Sequence, residues 1–90
     1  MLLVKSAQQR VASFLLEMSE RLATSDSMQL PMSRQDIADY VGLALETVCR
    51  ELTTLQHEGL IEVLNHRQVA ICDLAALQSL ADGRSLSYLR

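Results

Sequence analysis

Proline occurs once and glycine three times in ninety residues, which excludes the Pro/Gly-rich composition of a disordered chain. Aromatic residues are nearly absent, 3% against a hydrophobic content of 49%, so a core must be aliphatic: Leu, Ala, Val and Met. Cysteine occurs twice, at Cys49 and Cys72, too sparsely for a disulfide framework. Reduced thiols in a cytoplasmic protein are the simplest reading. No apolar run approaches the roughly 20 residues of a membrane span. The opening "MLLVKS" carries no cleavage pattern, so no signal peptide is expected. Lysine too is scarce: one of the eight basic residues, the rest being Arg, the type suited to bidentate recognition. The formal charge of −3 argues against indiscriminate binding to polyanions. It does not exclude a nucleic-acid reader, for which the placement of positive groups decides.

What is there is helical periodicity. Over residues 4 to 23, apolar side chains at Val4, Ala7, Val11, Phe14, Leu15, Met18 and Leu22 step by three and four, the spacing of an amphipathic helix. "TSDS" breaks it, and "MQLPM" is short and extended, since the residue before Pro31 avoids helix and proline tolerates only an edge position. Ser33 followed by Asp36 fits a capped start for a helix over about 34–40, with Ile37, Tyr40 and Val41 as its buried side. Gly42 interrupts. A further helix is expected over about 45–57, with Val48, Leu52 and Leu55 on one face and Gly59 ending it. Opposite them lie Glu46, Arg50, Thr53 and His57. "LIEVL" and "QVAIC", separated by "NHR", predict a small antiparallel hairpin, with Asn65 suited to a left-handed turn position. Asp73 predicts the cap of a last short helix through about Ala81, closed by Gly83, and "RSLSYLR" a frayed tail over 84–90. The expected fold is mainly α with a small antiparallel β hairpin, a single winged helix-turn-helix domain over 1–90.

The turn between the central helices has its own logic. Ala38, Gly42 and Val48 supply a small residue where two helices touch, a glycine for positive φ, and an apolar anchor. Alone the pattern is weak; between a capped helix and an amphipathic one, with a hairpin behind, it is informative.

At "SRQDIADYVGLALETVCRELTTLQHEGLI" the chain resembles the C-terminal DNA-binding domain of the Crp/Fnr family of bacterial transcription regulators, its FixK/Fnr-like branch above all. The resemblance covers residues 33 to 64, and the element order extends it to about 4–82. It implies sequence-specific binding of double-stranded DNA for transcription regulation, the helix after the turn reading the major groove of a palindromic half-site. The residues matching the family's base readers are Glu46 and Arg50. Arg can bind guanine O6 and N7 bidentately and Glu can accept from cytosine N4. Ser33, Arg34, Thr47 and Arg67 are the candidate phosphate-backbone contacts. The resemblance further implies a C-terminal fragment of a larger, dimeric regulator, with RNA polymerase as a partner of the parent protein and the fragment itself monomeric. Leu45, Cys49 and Glu51 depart from common family residues: Leu45, at the edge of the core stripe, is expected to pack in the core or else to offer DNA no more than a methyl-type contact, and Glu51 to lie at the core margin.

Simpler readings stand beside these. Glu46 and Arg50 fit an ordinary i, i+4 surface ion pair, and Thr47, Thr53, Thr54 and His57 fit a solvated surface. Cys49 is a small filler by default and a candidate redox-sensitive thiol otherwise, since oxidation would place negative charge where phosphate approaches. Cys72, after an apolar strand, is expected to be buried and inert. Cys49, His57, His66 and Cys72 fit no compact zinc pattern, and no phosphate loop or nucleophile set points to a cofactor or to an enzyme. The rival function is a winged-helix module that docks a partner protein, for which the acidic net charge speaks.

Overall fold

In the computed structural model, residues 6–22, 27–65 and 67–82 are described. They form α1 (Ala7–Leu22), β1 (Met28–Gln29), α2 (Arg34–Val41), α3 (Leu45–His57), β2 (Ile61–Asn65), β3 (Gln68–Ile71) and α4 (Leu74–Ala81). The winged helix-turn-helix order is the expected one.

α1 starts at Ala7 rather than at residue 4, because Ser6 caps it reciprocally. Gln9 N donates to Ser6 Oγ (3.2 Å) while Ser6 N donates to Gln9 Oε1 (2.7 Å), so two amide donors at the helix start are satisfied. Val4, Ala23 and the "TSD" of the expected break lie outside the described residues. Val11, Phe14, Leu15 and Met18 are buried as their spacing demands, and Ala12 with them. This face packs chiefly on α4.

α2 begins at Ser33, whose Oγ accepts from Asp36 N at 3.2 Å. It ends at Gly42, with φ 78° and ψ 36°, a left-handed conformation that costs a glycine nothing sterically. Ala38 O accepts from both Gly42 N and Leu43 N, each at 2.9 Å. α3 ends in a Schellman motif: Gly59 (φ 82°) donates to Gln56 O and Leu60 N to Leu55 O, both at 3.0 Å. Leu55 and Leu60 are both buried.

The sheet has three strands, in order β1-β3-β2, all antiparallel. Met28 faces Val69, and Leu30 N donates to Arg67 O at 2.6 Å. The short extended segment before Pro31 is therefore a sheet edge, and the expected hairpin is two strands of a larger unit. A bulge separates Val63 from Asn65 on β2. Among the described non-glycine residues none has positive φ, so Asn65 does not take the left-handed turn position. Its side chain makes the turn instead, Oδ1 accepting from Arg67 N at 2.8 Å.

Asp73 caps α4, Oδ1 accepting from Ala76 N at 3.0 Å. Gly83 and the tail over 84–90 lie outside the described residues. No described helix is long and apolar enough to cross a membrane.

Two burial expectations fail outside α3. Tyr40 is 61% exposed: its ring stands edge-on to Phe14, centroids 5.7 Å apart, and its hydroxyl donates to Glu17 Oε1 at 3.2 Å. A phenol can cover a core residue with its ring while its oxygen stays wet. Cys72 is exposed, not buried. It has the opposite parity from Val69 and Ile71, the residues β3 turns inward.

Candidate nucleic-acid interface

α3 divides cleanly. Val48, Leu52 and Leu55 are buried, and Glu46, Arg50, Thr53 and His57 are all exposed on the opposite side. Three buried anchors hold the helix against the body, so the polar face is presented on a rigid element rather than a loop. Glu46 stands in the first turn, where a carboxylate is favoured by the helix dipole. No ion pair joins Glu46 to Arg50; the pair that does form at i, i+4 is Glu17–Arg21 on α1, at 3.2 Å. Both α3 side chains thus keep their hydrogen-bonding capacity for an outside partner.

Their neighbours differ. Thr53 Oγ1 donates back to Cys49 O and Thr54 Oγ1 to Arg50 O, each at 3.0 Å. A hydroxyl so engaged has no proton left for a phosphate oxygen. Thr47, half-buried on the same flank as Thr54, has no such back-bond among the described residues. Cys49 is exposed beside Arg50. Leu45 is 39% exposed rather than packed in the core: it has a core-side angle but sits at the helix end, where cover is incomplete. Glu51 is half-buried, at the expected margin.

The remaining candidates frame α3. Ser33 is committed to its cap, beside the amino end of α2. Arg34, the first residue of α2, is half-buried and already engaged within the protein. Arg67 lies in the β2–β3 turn with its backbone pinned on both sides, N to Asn65 and O from Leu30. The structure thus brings Glu46, Arg50 and Thr47 onto one helix, and sets Ser33 and Arg34 at the start of α2 and Arg67 in the β2–β3 turn.

Two residues that the sequence pattern does not reveal hold this frame. Gln56 Oε1 accepts from Val63 N at 2.6 Å, tying α3 to the edge strand of the wing. Arg10 reaches from α1 to the turn before α3, Nη1 lying 3.4 Å from Val41 O and 3.3 Å from Gly42 O. Neither bond has a local signature, because the partners are distant in sequence or fixed only by packing.

Comparison with known proteins agrees with this architecture. Residues 9–80 match the family model described as a Crp-like helix-turn-helix domain. The chain is 47% identical over 81 residues to the nitrogen fixation regulation protein FixK of Bradyrhizobium diazoefficiens, covering 86% of this chain and 34% of that one. It is 41% identical over 83 residues to the transcriptional activator protein FnrA of Stutzerimonas stutzeri, covering 88% and 34%. Among solved structures, FixK2 from Bradyrhizobium japonicum superposes with a TM-score of 0.82 at 49% identity, over 84% of this chain and 38% of that one. The chain spans about a third of the length of the curated relatives it matches.

Proposed function

The chain belongs to the Crp-like helix-turn-helix family, and from that membership we propose that it binds double-stranded DNA sequence-specifically in transcription regulation. α3 enters the major groove, Arg50 donates to guanine O6 and N7, and Glu46 accepts from cytosine N4. Ser33, Arg34, Thr47 and Arg67 contact phosphates and fix register. The observation that carries this reading is the pair Glu46 and Arg50, not joined to each other, on the exposed face of a helix whose other face buries Val48, Leu52 and Leu55. The domain works as the DNA-reading part, over residues 1–90, of a longer cytoplasmic regulator that is dimeric and touches RNA polymerase. It catalyses no reaction, and the double helix is its ligand.

The acidic net charge of −3 favours a second reading, in which α3 docks a partner protein. Selection from random duplexes followed by a salt titration separates the two. Binding through phosphates weakens steeply with salt, because each neutralised phosphate releases counterions. Failure to enrich any duplex sinks the DNA reading.

A further inference from the structure

We propose that Arg10 is a positioning residue for base reading: it clamps the turn between α2 and α3 and so sets the aim of Arg50. The inference rests on the base-reading role of α3 proposed above.

The last carbonyls of a helix have no partner within it. At the end of α2, Ala38 O is taken by Gly42 N and Leu43 N. Val41 O and Gly42 O, two steps and one step before Leu43, are the carbonyls that Arg10 Nη1 approaches, at 3.4 and 3.3 Å. The guanidinium also places a positive charge at the negative end of the α2 dipole. Both bonds are long, but a charged donor strengthens them, and the one to Val41 O is half-buried while the one to Gly42 O is exposed.

This grip matters because the start of α3 has little local support. Ala44, its N-cap residue, makes no side-chain capping bond, and Gly42 is the most permissive backbone position in the turn. The backbone of Arg10 is held firmly: Val11 and Ala12, which follow it, are fully buried. Its guanidinium therefore ties to the body of the domain a segment that two carbonyls, one glycine and an uncapped start would otherwise leave soft. Since Arg50 lies in the first half of α3, a small change in the turn swings its fork relative to a base edge. Bidentate recognition tolerates such misalignment poorly.

The test uses the full chain and a selected duplex, with a second duplex altered at the G·C pair that Arg50 reads. Arg10→Met keeps the apolar stem and helix propensity while removing charge and donors; Arg10→Lys restores a single charged donor. Discrimination between the duplexes should fall about tenfold in Arg10→Met, within the range one bidentate pair contributes, and recover most of that in Arg10→Lys. Affinity for scrambled duplex should change little. Adding Arg10→Met to Arg50→Ala should cost no further discrimination, because the clamp acts only through the fork. Amide exchange at Gly42 and Leu43, measured without DNA, should speed up in Arg10→Met and slow again in Arg10→Lys. Wild-type discrimination in Arg10→Met, where Arg50→Ala loses it, overturns the clamp alone. Unchanged exchange at the two amides overturns it too, with or without DNA. If instead Arg50→Ala discriminates as well as wild type, the base-reading proposal fails first, and the clamp's specificity role with it.

Discussion

Arg50 offers five N–H donors on a planar fork that never loses its charge near neutrality, and among the described residues no carboxylate claims them. Replacing it by Ala should cost about 1–3 kcal/mol per half-site and relax preference at one G·C pair. Competition binding against a panel of single-base variants measures this; equal losses on specific and scrambled duplex would mean that Arg50 touches only phosphate. Cys49 lies exposed next to it, within reach of an oxidant. Peroxide treatment that converts the thiol to a sulfinate adds an anion where the proposed docking would bring phosphate, so DNA binding should drop in the native chain and persist in Cys49→Ser. Equal sensitivity of the Ser variant would place the damage elsewhere. At this scale the sequence was informative for α3, since its polar residues fall at fixed angles from a buried stripe. It was silent on Arg10 and Gln56, whose partners are backbone atoms brought near only by the packed fold. It misled at Tyr40, where a helical angle carries no information about a ring that covers Phe14 while its hydroxyl seeks Glu17.

Elements were legible where their signals are local. α2 and α4 carry capping side chains three residues before the amide they serve, and α3 ends at a glycine whose φ of 82° leaves little choice of residue. The edge strand before Pro31 was legible as a short extended segment, but its pairing with β3, some forty residues later, was not. The cap of α1 could have been read: Ser6 and Gln9 have the spacing of a reciprocal box, and a longer apolar pattern extended across it. The two positive-φ glycines allow a test of what ends the helices. A Cβ on Gly59 would meet nothing within 4 Å, and one on Gly42 would meet Arg10 Nη1 at an ordinary 3.5 Å. Neither Ala variant suffers a clash, so backbone strain alone sets the cost, about 1 kcal/mol for each after the gain from a stiffer unfolded chain. Urea denaturation should show both losses, with Gly59→Asn milder than Gly59→Ala because Asn tolerates the left-handed region. A neutral Gly59→Ala would mean that α3 can end in another conformation.

As a whole molecule the domain carries eleven acidic against eight basic residues, so the proposed affinity for DNA must come from local placement rather than from net attraction. On that proposal, a single half-site reader should be weak. Helix-turn-helix dimers set two reading helices about one turn of DNA apart, roughly 34–36 Å. Joining them makes the second contact intramolecular, at an effective concentration that can reach millimolar, so separation costs a factor on the order of 100 or more. Nothing in the described surface supplies such a link. The apolar stripe of α1 is consumed by the core, and the large exposed apolar residues, Tyr40, Leu45, Leu64 and Leu74, belong to four different elements rather than to one stripe. A stable dimer typically buries about 800 Å² on each partner around a contiguous apolar centre. The ninety-residue chain should therefore sediment as a monomer at micromolar concentration and pair only on a palindromic duplex, each copy occupying one half-site. The buried contacts of α1 with α4 lie within the chain, so the monomer should remain folded throughout. Sedimentation with and without the duplex decides the matter, and a stable dimer in the absence of DNA would mean that the segments at either end of the chain carry an interface of their own.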